Sequence, residues 1–336
     1  MRSELIIDLR HRVESLPDGD FDEVALNIFR FQARENTVYR EFIAQLHIDA
    51  DTVHRVKDIP FLPVEVFKNR RILSGSWQPE AVFKSSGTSG QARCTHLVKS
   101  LEFYHKLAIH TFETQICQLQ DLPILALLPN YLEQGQSSLV NMVEAFIGRS
   151  TQEISGFFLD DQSRMREALN TCVASEKPFL LLGVSYALLD LAKEGLDPLG
   201  SHAMVMETGG MKGRSQELSR EELHAELKAG FNVDSIYSEY GMTELLSQAY
   251  SRHGGLFKAA SSMRILIKEF NDPFCTSTVQ KPGVIHVIDL ANIDTCSFIA
   301  TADIGRAHPD GTFEVLGRLD NSDLRGCNLL YTEITE

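Results

Sequence analysis

Three short apolar runs constrain this chain most: Ile124-Leu125-Ala126-Leu127-Leu128, Phe179-Leu180-Leu181-Leu182 and Ala203-Met204-Val205-Met206. Each is too short for a helix in its own right and lacks polar alternation, which marks a buried strand. Segments with helical spacing lie between them, such as Ser138 to Ile147 and Ser219 to Ala229. Buried strands that alternate with helices predict a layered α/β sheet over about 80 to 250.

The flanks have other textures. Residues 1–80 read as helical and polar-faced, with an apolar stripe at Val24, Leu26, Ile28, Phe29 and Phe31. The run Ile59-Pro60-Phe61-Leu62-Pro63 is an extended entry, and Pro63 suits the first turn of a short helix. From about 256 the chain reads as mainly β, with strands at Met263 to Ile267, Gly283 to Ile288 and Ser297 to Thr301 between Pro, Gly and Asp turns. Three stretches are therefore expected: 1–80, 81–255 and 256–336.

Charge narrows the function classes. Thirty-two basic residues against 46 acidic ones leave a net charge of −14. Such a chain repels nucleic acid and anionic membranes unless it has a strong basic patch. The densest, Lys68-Asn69-Arg70-Arg71, holds only three charges and reads as a solvated helix end. No apolar stretch is long enough to span a bilayer, and Met1-Arg2-Ser3-Glu4-Leu5 does not open a signal peptide. The six cysteines form no CxxC pair and read as reduced thiols. A cytoplasmic protein is expected.

Three segments can carry chemistry. Ser85-Ser86-Gly87-Thr88-Ser89-Gly90-Gln91 follows the strand-like Ala81 to Lys84. Its hydroxyls and backbone N–H groups can wrap a phosphate, although no Walker A lysine follows and a surface turn has the same composition. Tyr237-Ser238-Glu239-Tyr240-Gly241-Met242-Thr243-Glu244 offers a ring face for a flat base, a hydroxyl for a phosphate and a carboxylate for Mg²⁺; it also reads as a turn ending a strand, with Glu244 solvated. Thr301-Ala302-Asp303 is followed by the hairpin turn Asp310-Gly311 and by Gly317-Arg318-Leu319-Asp320. Asp303 can accept hydrogen bonds from two ribose hydroxyls, or serve a turn or cap.

Taken together, these segments resemble, in order and spacing, the motifs of the adenylate-forming superfamily of acyl-CoA synthetases, luciferases and peptide-adenylation domains. Ser85 to Gly90 is similar to its phosphate loop and Tyr240 to Glu244 to its Tyr-Gly-x-Thr-Glu motif. Thr301-Ala302-Asp303 is similar to its Thr-Gly-Asp motif, with Ala302 replacing Gly, and Gly317 to Asp320 to its hinge. Within that superfamily, Pro60-Phe61-Leu62-Pro63, Glu207-Thr208-Gly209-Gly210-Met211-Lys212 and the ending Asn321 to Leu330 resemble acyl-protein synthetase, the LuxE-type subunit of a fatty-acid reductase complex.

The resemblance implies an N-terminal-domain-like adenylate-forming fold in which 81–255 binds the adenylate and a β-rich part ends in a tail bearing Cys327. The usual mobile C-terminal domain, with its lysine, is expected to be absent. The implied activity is ATP- and Mg²⁺-dependent activation of a carboxylic acid, with transfer to a thiol and a reductase or carrier protein as partner. Cofactor binding falls to Ser85, Ser86, Gly87, Thr88, Ser89, Gly90, Gly209, Gly210, Glu239, Tyr240, Gly241, Asp303 and Arg318. Catalysis falls to Cys327, Lys212, Thr243 and Glu244, with Glu244 also the metal ligand. Lys212 also reads as a surface lysine, and Cys327 as a small buried residue. If its segment is extended, Arg325 shares a face with Cys327 and favours the thiolate.

Other residues carry less. His96, His105 and His110 lack metal-pair spacing and read as helix or loop residues. Cys94 reads as packing, and Asp160-Asp161 as a cap or a solvated pair.

Overall fold

The structure is a computed structural model that describes residues 2–17, 19–85, 93–128, 136–209, 218–277 and 280–319, without the side chains of 2–5. The chain divides into two compact units. One comprises residues 1–107, 242–247 and those from 259 onward; the other comprises 108–241 and 248–258. The first 80 residues and those from 259 thus share a unit.

The second unit is built on the apolar runs. Its sheet has the order Lys258–Ala259, Ala249–Ser251, Ile236–Tyr240, Ala203–Thr208, Phe179–Val184, Ile124–Leu127, Gly156–Phe157. The strands from Ile236–Tyr240 to Gly156–Phe157 pair in parallel. Ser238, Glu239 and Tyr240 pair antiparallel with Ser251, Tyr250 and Ala249. Helices Gln162–Ala174, Ser185–Ala192 and Arg220–Phe231 pack in one cluster with Leu125, Leu181 and Val205. Phe146, on Ser138–Arg149, instead meets Phe112, with ring centroids 4.9 Å apart. Burial on both sides explains why these strands show no polar alternation. Helix starts follow their caps: Ser219 and Glu222 form a capping box, and Asp161 caps the helix that it precedes, as read.

Chain order reverses in this sheet. The strand after Ile124–Leu127 adds on one side, and the next three add on the other. Ligands of open α/β sheets bind at such a switch point, beyond the carboxyl ends of the strands. The reversal lies at Ile124–Leu127, and Thr208-Gly209 and Tyr240-Gly241 are the carboxyl ends of the strands two and three places from it.

The first unit holds a six-stranded sheet and a two-stranded ribbon, Ala81–Lys84 with Thr95–Val98. Phe298–Ala307 pairs antiparallel with Gly283–Asp289 and Phe313–Arg318, while Met263–Glu269 lies between Gly283–Asp289 and Asp272–Thr276. Leu62 and Pro63 form a short parallel edge on Ile299 and Ala300. Pro63 is therefore an edge-strand residue and not a helix-start residue, since the following helix is Val66–Asn69. A missing N–H costs nothing on the outer side of an edge strand.

An aromatic cluster joins the N-terminal helices Phe21–Glu35 and Thr37–Gln45 to this sheet. Phe298 lies 5.9 Å from Phe29, 6.1 Å from Tyr39 and 6.2 Å from Phe61 between ring centroids. Each such pair contributes about 0.5–1.5 kcal/mol beyond its burial. Gln32 lies on the buried face of its helix, where a polar side chain costs stability unless it is bonded. Its amide donates to the carbonyls of Asn292 and Ile293 at 2.9 and 3.1 Å and accepts from the Ser297 N–H at 2.9 Å. Asn36 caps the second helix and donates to the Thr295 carbonyl at 2.8 Å. The N-terminal helices thus fix the segment 290–297, which in turn touches the candidate site.

Candidate functional site

In the first unit, residues 242–247 form a turn closed by the Leu245 N–H on the Met242 carbonyl at 3.1 Å. Asp289 accepts the N–H groups of Leu246 and Ser247 at 2.8 and 3.0 Å, the Ser247 hydroxyl at 2.6 Å and the Ala291 N–H at 3.0 Å. Burial pushes the Asp289 carboxyl upward, and these donors oppose the shift. Asn292 donates to the Glu244 carbonyl at 2.7 Å. His96 Nδ1 lies 2.8 Å from the Thr243 carbonyl, and its Nε2 lies 3.0 Å from the Thr295 hydroxyl. Thr243 is half-buried, and Glu244 is buried among these bonded groups and not solvated as the plain-turn reading had it.

Two readings change here. His96 is neither helix nor loop: it stands on Thr95–Val98, opposite Phe83. Cys94 is buried, but it also hydrogen-bonds Glu244; burial, then the Glu244 charge, push its thiol up to about 12. The Ser85 hydroxyl accepts the Cys94 N–H at 3.0 Å, and the Ser85 N–H bonds the Cys94 carbonyl at 3.1 Å. Ser85 and Cys94 thus close the base of the loop. His105 and His110 lie on Leu101–Gln115, as read.

The donor chemistry at Thr243-Glu244 fits Mg²⁺. The ion takes hard oxygen ligands and is usually held by one or two carboxylates together with substrate phosphates. Glu244 supplies a carboxylate, and Thr243 a hydroxyl. Asn292 Oδ1, on the amide whose nitrogen binds the Glu244 carbonyl, is buried and accepts no hydrogen bond among the described residues. No group of three His, Cys, Asp or Glu among the described residues is arranged to hold a metal by itself.

Asp303 and Arg318 face each other across two paired strands, 3.8 Å apart. The Asp303 N–H bonds the Thr301 hydroxyl at 3.0 Å, and that hydroxyl donates to the Ile285 carbonyl at 2.7 Å. Asp310-Gly311 makes the turn as read, with the Asp310 carboxylate accepting the Thr312 N–H at 3.0 Å and Gly311 at φ +84°.

In the second unit, Glu239 and Tyr240 end a buried strand, and Gly241 follows. Glu239 bonds the Thr208 hydroxyl. A side chain at Gly241 would meet the end of the Glu239 carboxylate, which would have to shift to admit it. The Tyr240 ring meets Phe257 edge-on at 6.0 Å. Gly209 holds φ +74°, which glycine adopts freely, and its carbonyl accepts the Ser185 hydroxyl at 2.8 Å. Glu207 lies behind it and takes Arg220 at 3.2 Å, Ser185 at 3.3 Å and His224 at 3.5 Å. His224 contacts both Glu207 and Ser238 through Nε2, so these residues do not form a catalytic relay. Sequence reasoning missed this network, as it missed Asp289, Asn292 and His96. Glu207 lies within a segment it singled out, but its partners are far apart in the chain. Ser86, Gly87, Thr88, Ser89, Gly90, Gly210, Lys212 and Cys327 lie outside the described residues.

Burial also sets a pH dependence. It lowers His96 to about 4 and, with the Lys268 charge adding, His286 to about 3. The stability from each is fully present above the unfolded value of 6.5 and is lost as pH falls toward the folded value. Glu239 has the opposite sign: burial raises it to about 7, so its contribution is lost as pH rises. His286→Leu isolates one histidine. Between pH 7 and 5 the wild type should lose about 2 kcal/mol relative to this variant. Amide exchange in the strand Gly283–Asp289, corrected for intrinsic rates, measures the change, and a pH-independent difference would refute it.

Residues 18–118 match the family model described as acyl-protein synthetase, LuxE. The match takes in Pro60 to Pro63 and the Ser85 to Gln91 loop; the segments from Glu239 onward lie beyond it. No curated protein sequence matches significantly. Among solved structures, the chain resembles a 2-hydroxyisobutyryl-CoA ligase in complex with 2-HIB-AMP in the postadenylation state. The TM-score is 0.66 at 11% identity, over 92% of this chain and 70% of that one. An open conformation of the ligase with 2-HIB-AMP and CoA gives 0.64 at 12% identity, over 92% and 77%. ATP-bound MatB from Rhodopseudomonas palustris gives 0.50 at 17% identity, over 71% of this chain and 48% of that one. This chain thus spans about half of MatB's length. At these identities the likeness shows the fold, and that fold is the layered α/β one of adenylate-forming enzymes, as expected.

Proposed function

We propose that this chain uses ATP to activate a carboxylic acid of the fatty-acid class as its acyl-adenylate and then passes the acyl group to its own Cys327. A carboxylate is a poor electrophile because its leaving group would be oxide. Its oxygen attacks the α-phosphorus of ATP, the bond to the bridging oxygen of the β-phosphate breaks, and pyrophosphate leaves. The Cys327 thiolate then attacks the acyl carbon, AMP leaves, and the thiol proton passes to solvent. The product is a thioester that a partner reductase or carrier protein can take.

The observation that carries this reading is the Thr243-Glu244 turn, whose two carbonyls, together with the amides of Leu246 and Ser247, are held by side chains from distant segments. A bound Mg²⁺ offsets the repulsion between the carboxylate and the phosphates. Glu244 would hold that ion, and the Thr243 hydroxyl would touch the α-phosphate. Ser86, Thr88 and Ser89, with the backbone at Gly87 and Gly90, would hold the outer phosphates. Tyr240 would stack the adenine between Glu239 and Gly241, Asp303 and Arg318 would fix the ribose, and Gly209 and Gly210 would let the backbone approach. Lys212 would supply the cation. The family match over 18–118 and the fold support the reading.

Intact-protein mass spectrometry with ATP, Mg²⁺ and a panel of carboxylic acids tests it, alongside acid-dependent exchange of labelled pyrophosphate into ATP. The expected result is exchange together with an acyl adduct that hydroxylamine removes. Exchange without an adduct would move the acceptor to an external thiol. Absence of both signals would overturn the reading in favour of a non-catalytic nucleotide-binding subunit.

A further inference from the structure

We propose that His96 is a positioning residue for the Thr243-Glu244 turn, an inference that rests on the function proposed above. Both ring nitrogens are engaged. A carbonyl oxygen only accepts, so Nδ1 carries the proton toward Thr243 and Nε2 accepts from the Thr295 hydroxyl. The ring thereby ties the peptide plane of Thr243 to the segment 290–295. That segment also sends Asn292 to the Glu244 carbonyl, and Asp289 just before it takes the Leu246 and Ser247 amides.

The origin of His96 gives this link its functional content. It lies on the strand by which the chain returns from the Ser85 to Gln91 loop, two residues after Cys94. Residues two apart on an extended strand share a face. Cys94 meets the Glu244 side chain while His96 meets the Thr243 carbonyl. This strand and the Cys94 that leads into it therefore fix two successive residues of the turn, and Cys94 also bonds Ser85. Shifting this strand moves Ser85 and the turn together, so the residue that leads into the hydroxyl-rich segment and the Thr243-Glu244 turn are held by one rigid element. Sites on rigid elements, supported by a second layer of bonded side chains, keep the geometry that transition-state stabilisation requires.

The packing around His96 argues that the ring is there for this bond. It is buried beside Phe67, at 5.9 Å between centroids, where an apolar side chain would pack at less desolvation cost. An apolar residue would leave the Thr243 carbonyl without its donor, and the peptide would be free to rotate.

Side-chain reach provides the test. The asparagine amide nitrogen overlays histidine Nδ1, the glutamine amide nitrogen overlays Nε2, and leucine supplies neither. Pyrophosphate exchange, melting temperature and calorimetric affinity for ATP with and without Mg²⁺ should be measured for His96→Asn, His96→Gln and His96→Leu. In the leucine and glutamine variants we expect kcat for exchange to fall about 30- to 100-fold per folded molecule with KM for the acid unchanged, and the Mg²⁺-dependent gain in ATP affinity to fall about tenfold. His96→Asn should recover both to within about threefold of wild type. Asparagine and leucine variants with equal losses, or losses that track only the fraction folded, would overturn the positioning role. If the wild type binds Mg²⁺-ATP but shows no exchange, the proposed function fails while the calorimetric series still decides the role of His96. If it binds neither, both fall.

Discussion

Glu244→Gln is expected to lower acid-dependent pyrophosphate exchange about 10²- to 10³-fold, the cost of losing one preorganised electrostatic group at a phosphoryl-transfer centre. The substitution keeps shape, so packing is preserved at a side chain that is only 5% exposed. The backbone bonds that hold the turn do not involve the substituted oxygen: Asn292 binds the Glu244 carbonyl, and Asp289 binds the amides of Leu246 and Ser247. Folding should therefore not suffer. Burying a carboxylate costs free energy that burying an amide does not, so the melting temperature should hold or rise while activity falls. Such a split marks a group kept for function at the expense of stability. Exchange rates across a Mg²⁺ titration, with calorimetric melting on the same samples, measure both halves. Unchanged exchange would remove Glu244 from the site, and a large drop in melting temperature would make it structural.

The parts of the fold legible in the sequence were those where one local pattern meets one physical demand. Ile124 to Leu128, Phe179 to Leu182 and Ala203 to Met206 lack alternation because helices cover both faces of their sheet, and Ser219 with Glu222 starts a helix by a bond that spans three residues. Pro63 was misread because the pairing partner that makes it an edge strand, Ala300, lies far along the chain.

The candidate site divides in the same way. Thr243 and Glu244 stand in a recognisable string, so a chemistry could be proposed for them. Their supports come from His96, Asp289, Asn292 and Thr295, with Gln32 and Asn36 behind them. Nothing in the local sequence distinguishes a buried histidine that braces a turn from one that packs. His96 offered one signal, a histidine next to Leu97 and Val98 on a short strand, but only the partners give it meaning. Asp289 likewise sits in an apolar context, after Val287 and Ile288, where an acid must bring its own donors or destabilise the fold. Buried polar residues inside apolar runs are thus where a sequence announces a tertiary contact without saying with what.

Cys327→Ser should abolish the hydroxylamine-sensitive acyl adduct and leave acid-dependent pyrophosphate exchange intact. Under the proposed function the two steps separate, because Cys327 would enter only after the acyl-adenylate has formed. Serine keeps the size of the side chain, but its hydroxyl is a weak nucleophile without a dedicated base, and any ester it formed would resist the mild hydroxylamine treatment that cleaves a thioester. The other cysteines limit the alternatives. Burial raises Cys94 and Cys296 to about 12 and Cys172 to about 11, and it raises Cys117 as well. A thiol at about 12 is about 10⁻⁵ thiolate at neutral pH, too little to compete for a reactive acyl-adenylate. Cys275 alone among the described cysteines is exposed. It is therefore the control, and Cys275→Ser should keep the adduct that Cys327→Ser loses. Peptide mapping of the acylated wild type should place the acyl group on the fragment containing Cys327. An adduct that survives Cys327→Ser and disappears with Cys275→Ser would reassign the acceptor to the hairpin Met263–Thr276. Loss of exchange in Cys327→Ser would show that the residue supports adenylation itself, and the two-step separation would fail.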